Sequence, residues 1–133
     1  MIKFIVGLTL TAFLTGCASS ADVRNAPLTV GTSKDFNASF SQVKRLALES
    51  VQGLNVDVKS ANELGNEFTI EFAKSMTAFS WGEVGRVAVV DVTPNSRVTV
   101  FSEKRSRLQI TGTGEDEFAR AIFDGIQHGL NSN

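Results

Sequence analysis

The chain has 133 residues, 13 basic and 14 acidic side chains, a formal net charge of −1, and 42% apolar against 20% charged residues. That size and balance give room for one domain core and exclude a multi-span membrane protein, a disordered chain and the basic footprint of a nucleic-acid binder. A single cysteine and a single histidine leave no intramolecular disulfide, no cysteine-based zinc site and no thiol chemistry to expect, so neither a metal nor a cofactor is predicted.

The chain opens with Lys3, an apolar run from Phe4 to Leu14, and then small residues up to Cys17. This is the tripartite pattern of a secretion signal. The run is too short to cross a hydrocarbon core about 30 Å thick, which takes about 20 helical residues. Leu14-Thr15-Gly16-Cys17 resembles the lipobox of bacterial lipoproteins. That resemblance implies cleavage between Gly16 and Cys17, a diacylglyceryl group on the Cys17 sulfur and acyl chains, palmitate among them, holding the mature chain to a membrane. Two or three chains at about 0.8 kcal/mol per buried CH₂ make such an anchor effectively permanent. Ala18, rather than aspartate, follows the cysteine, which in that family implies sorting to the outer membrane with the domain in the periplasm.

Ala18-Ser19-Ser20-Ala21-Asp22 and Asn25-Ala26-Pro27 are small and polar and without period, so residues 17–31 read as a lipidated N-terminus and flexible tether. Fully extended at 3.3 to 3.6 Å per residue, Ala18 to Gly31 spans about 50 Å. From Asp35 to Gln52 the spacing of Phe36, Phe40, Val43, Ala47 and Val51 predicts an amphipathic helix, with Thr32, Ser33 or Asp35 as its cap. The period then falls to two. Leu54, Val56 and Val58, then Phe68, Ile70 and Phe72 across a turn at 63–66, predict a hairpin. Val84 to Val92 and Val98 to Ser102, joined at Pro94-Asn95-Ser96, predict a second hairpin extended through Ile110. Phe118, Ile122, Ile126 and Leu130 predict a closing helix from Glu115 to His128, capped from Thr113.

These elements define an α+β fold, a two-layer sandwich with a four-stranded antiparallel sheet and two helices on one face, in the order α-β-β-β-β-α. The domains expected are a signal peptide over 1–16, the lipidated tether over 17–31 and a single α+β domain over 32–133. By pattern alone the order resembles small helix-grip domains and several uncharacterised periplasmic lipoproteins, a likeness that implies no activity.

Three places invite contact with something else. Met76, Phe79 and Trp81 lie in the connection between the hairpins, where they form an apolar lip or cap the open end of the core. Lys104, Arg105 and Arg107, with Arg97 across the strand, are the one basic cluster, suited to phosphates or an acidic protein face, or to guarding an edge strand. His128 ends a helix, where a cation suits the dipole. Glu115, Asp116 and Glu117 diverge around a first helical turn and read as capping rather than as an acid–base pair. No convergent titratable cluster stands out, so a non-enzymatic role through protein contacts in the envelope is expected. The alternative is a binding module for a small apolar or lipid ligand held between helix and sheet.

Overall fold

A computed structural model describes residues 20–75, 82–104 and 115–132. Its elements are α1 (Ser20–Asn25), β1 (Thr32–Phe36), α2 (Phe40–Gln52), β2 (Asp57–Leu64), β3 (Glu67–Lys74), β4 (Glu83–Val92), β5 (Asn95–Lys104) and α3 (Glu115–Asn131). The class is α+β. The strands form one antiparallel sheet in the order β1-β5-β4-β3-β2.

The sheet thus has five strands, not four, and the extra one lies where the cap and first residues of the first helix were expected. Thr32, Lys34 and Phe36 share one face of β1, and only Phe36 is apolar, so no alternation shows in the sequence. What makes the segment a strand is its partner. It pairs with β5 from Thr32↔Val100 to Phe36↔Ser96, Ser33 Oγ lies 2.7 Å from Thr99 Oγ1, and Arg97 donates two bonds to the Asp35 carboxylate, at 2.8 and 3.2 Å. The helix begins instead after Ser39, whose hydroxyl accepts from the Gln42 amide at 3.2 Å. Phe36 still reaches the same core, from a strand rather than a helix.

That core fills the space between one sheet face and the helix pair α2–α3. Val43, Leu46, Ala47 and Val51 from α2 and Phe118, Ile122 and Ile126 from α3 meet Phe68, Ile70, Phe72, Val87, Val89, Val98 and Val100. The inward residues of β3 keep the period of two, as expected. Phe72 lies across the ladder from Gly85, and a Cβ on that glycine would sit 2.2 Å from the ring, so the ring packs flat on bare backbone. The first hairpin turns at Gly65-Asn66, with Gly65 at φ +60°. The second turns over a cis Thr93–Pro94 bond.

The opposite sheet face was expected to meet solvent, with residues 17–31 flexible. From Ser20 onward that expectation is corrected: α1 lies on this face, and Val23 joins Ala73 and Val84 in a second apolar cluster, with Phe101 beside it. Sheet register explains the separation, since Ala73, Val84 and Phe101 each stand one residue out of phase with Phe72, Gly85 and Val100. The domain therefore includes residues that sequence composition assigned to the tether.

Candidate functional site

Beneath α1 the outer face carries two charged residues on the neighbouring strands β3 and β4. Glu71 of β3 and Arg86 of β4 are direct cross-strand partners, and both are buried, 8% and 2% exposed. A charge buried on a sheet needs partners or it costs several kcal/mol. The chain supplies them from α1 and from the turn after it.

Arg86 Nη1 donates to the carbonyls of Val23, at 3.0 Å, and Ala26, with a longer contact to Arg24 O at 3.5 Å. Nη2 donates to Pro27 O at 2.8 Å. Carbonyls at the end of a helix have no intrahelical donor, and here one planar guanidinium collects them. Glu71 in turn receives a two-point bond from Arg24, Nε to Oε1 at 2.8 Å and Nη2 to Oε2 at 3.1 Å. Val23, 1% exposed, fills the apolar gap beside them. Among the described residues the Arg86 Nε finds no hydrogen-bond partner, so the cradle satisfies this side chain incompletely.

Electrostatics follow from placement. Burial pushes the Arg86 pKa below its ordinary value, and the neighbouring Glu71 carboxylate pushes it back up. Arg24 is raised, chiefly by its hydrogen bond to Glu71 and then by that carboxylate's charge. The ion pair is lopsided, 60% exposed at Arg24 and 10% at Glu71, so water screens much of its attraction. The arrangement recognises and holds a short peptide segment. It offers no nucleophile next to a base, and among the described residues no group of three or more His, Cys, Asp or Glu is placed to hold a metal ion.

Of the residues singled out from sequence, Gly16, Cys17, Met76, Phe79, Trp81, Arg105 and Arg107 lie outside the described residues. Lys104 is the last residue of β5, opposite Glu83. One part of the basic-cluster reading is corrected. Arg97 lies seven positions from Lys104 in the same strand, roughly 23 Å away at about 3.3 Å per residue, and it is committed to Asp35. β5 runs between β1 and β4 only as far as Val100; from Phe101 to Lys104 its described pairing is with β4 alone. His128 is exposed in the last turn of α3, where its carbonyl accepts from the Ser132 hydroxyl at 2.9 Å.

Sequence reasoning missed Arg24, Glu71 and Arg86. A signal existed for Arg86 alone, a charge within the apolar run Val84–Val90, whereas Glu71 falls on a polar position of the alternating Phe68–Phe72.

Depressions mark the described surface elsewhere. One, of about 330 Å³, is open between β1 and α3 and lined by Thr32, Lys34, Ala119, Arg120, Phe123 and Asp124. Another, of about 120 Å³, lies by Asn55, Val56, Asp57, Lys74 and Ser75. Compared with known proteins, the chain matches no protein-family model, and no curated protein matches it significantly.

Proposed function

We propose that this protein is an outer-membrane lipoprotein, anchored through acyl chains on Cys17, whose α+β domain works in the periplasm by contacts with another envelope protein rather than by catalysis. The observation that carries the reading is the Leu14-Thr15-Gly16-Cys17 motif at the end of an apolar run. Among the described residues no helix is long and apolar enough to cross a membrane, so attachment in this reading rests on lipid.

The contact role is favoured over apolar-ligand binding by the packing of the main core. Ile70, Phe72, Ile122 and Ile126 are its largest fully buried side chains, and they occupy the space between helices and sheet that a ligand would take.

The test is the intact mass of protein purified from Gram-negative membranes, beside a Cys17→Ser variant. A wild-type species that starts at Cys17 and carries acyl mass, absent from the variant, is the expected result. A chain that retains Met1, or is cut elsewhere, overturns the anchor and the localisation together.

A further inference from the structure

We propose that residues Ser20–Pro27 form a releasable latch seated on the Glu71–Arg86 pair, and that this latch sets how far the domain stands from its anchor. Its effect on reach rests on the lipoprotein reading; the docking itself does not.

The closed state is the one described: Arg86 holds the carbonyls of Val23, Ala26 and Pro27, Arg24 holds Glu71, and Val23 is buried. The open state is built into the sheet. Glu71 and Arg86 are direct cross-strand partners, close enough for their side chains to meet, so withdrawal of α1 lets the two charges pair with each other in water. Neither charge is stranded by opening, which removes the usual penalty for breaking one half of a buried pair.

Several features favour release. In the six residues of α1, Val23 is the side chain in the second apolar cluster, and an isolated helix this short has little stability of its own. Arg86 acts on backbone carbonyls, so its grip depends on the segment being helical and in place. The main core lies on the far side of the sheet and contains no residue of this segment. The segment joins β1 through Gly31, whose φ of +119° and 2.2 Å approach of a would-be Cβ to Val100 O fix the turn at the sheet edge, so motion upstream of it need not disturb β1.

Closure leaves Cys17 to Ser20 as the span from anchor to latch, at most about 11 Å of chain. Opening returns residues 18–31 to a reach of about 50 Å. The latch thereby selects between a domain held at the lipid surface and one able to contact a partner away from it.

The experiment is hydrogen exchange by mass spectrometry on the mature, membrane-purified protein, with Arg86→Gln and Val23→Ser variants. In the wild type, the amides of Arg24, Asn25 and Ala26, whose i→i−4 acceptors lie within α1, exchange about tenfold more slowly than unstructured chain, yet faster than those of α2, the mark of local opening. Both variants abolish that protection and leave α2 and β3–β5 protected. The proposal falls if the wild-type segment shows no protection, if either variant keeps it, or if the segment is as protected as α2 and opens only with the whole domain. Should Arg86→Gln fail to fold, Val23→Ser decides: loss of α2 protection there too makes the segment part of the core and ends the latch. Intact mass of the same preparations reports the acyl group, so failure of the anchor reading shows in the mass and failure of the latch in the exchange.

Discussion

The two faces of the sheet are closed by different physics. On one, two amphipathic helices of 13 and 17 residues bury a continuous apolar layer in which Val43, Ile70, Val87, Val98, Ile122 and Ile126 have no exposure at all. On the other, contacts to a six-residue helix include the buried Val23, the Arg86 guanidinium collecting carbonyls and the half-exposed Arg24–Glu71 pair. Apolar burial is non-directional and tolerates repacking, whereas the outer face depends on a few directional bonds that vanish together once the segment moves. The first face makes the fold; the second makes a contact that can be undone without losing it.

The largest expected effects break the helix face. Phe72→Ala removes a ring packed on Gly85 and tilted 5.2 Å from Phe118, and should cost about 3–5 kcal/mol of unfolding free energy by denaturant titration. Gly85→Ala, which drives a methyl into that ring, should also destabilise, by about 1–3 kcal/mol as overpacked cores do. Val23→Ala on the outer face should change the denaturant midpoint far less than Phe72→Ala, the local transition of residues 22–27 absorbing the loss. A Val23→Ala cost equal to that of Phe72→Ala would join the two faces into one cooperative unit and erase the contrast.

The same contrast explains what was legible from sequence. The helix face announces itself because Phe68, Ile70 and Phe72 keep a period of two, and Val43, Ala47 and Val51, like Phe118, Ile122 and Ile126, keep steps of three and four. Those periods report burial of whole faces, and they locate α2, α3, β3 and the second hairpin; β2 escapes them, because Leu54 and Val56 precede its first residue, Asp57, and Val58 is exposed. β1 escapes because it shows a single apolar residue, Phe36, to the core, and its pairing depends on the distant Thr99 and Arg97. The outer face escapes for a related reason. Glu71 reads as an ordinary solvent-facing position of an alternating strand, and although Arg86 breaks an apolar run, nothing in Ala18–Pro27 carries a period to say that a helix covers either. Contacts made between a charge and a backbone carbonyl leave no residue-type signature on the carbonyl side.

A smaller effect sharpens the account of the outer face itself. Arg24→Ala removes the ion pair of the closed state and leaves Glu71 free to pair with Arg86, so it should raise the opening of residues 22–27. Because Arg24 is 60% exposed, the increase should be about two- to fivefold in exchange rate, within the range of a screened pair. Glu71→Gln removes the closed-state pair and the open-state pair alike, and should open the segment less than Arg24→Ala does. The reverse order would mean that Glu71 supports only the closed state.

The smallest effect is one of pH, and it too belongs to the outer face. Asp35 and Arg97 both project there from β1 and β5, and the hydrogen bond from Arg97 is the main cause holding the Asp35 carboxyl below its ordinary pKa, with the cation's charge adding to it. A carboxylate whose pKa is depressed on folding contributes stability above its unfolded value and loses it as pH falls through the folded one. The contribution should therefore be complete at pH 6 and fade below about pH 4, where free carboxylates begin to take up protons. The pair is exposed, so the change should be a small shift of the denaturant midpoint, seen as a difference between the wild type and Asp35→Asn that is present at pH 6 and gone at pH 2. A difference that persists at pH 2 would show that Asp35 acts through its neutral hydrogen bonds. The edge strand would then be held by backbone pairing with β5, as the helix face is held by packing, and charge would matter on the outer face only at the seat of α1.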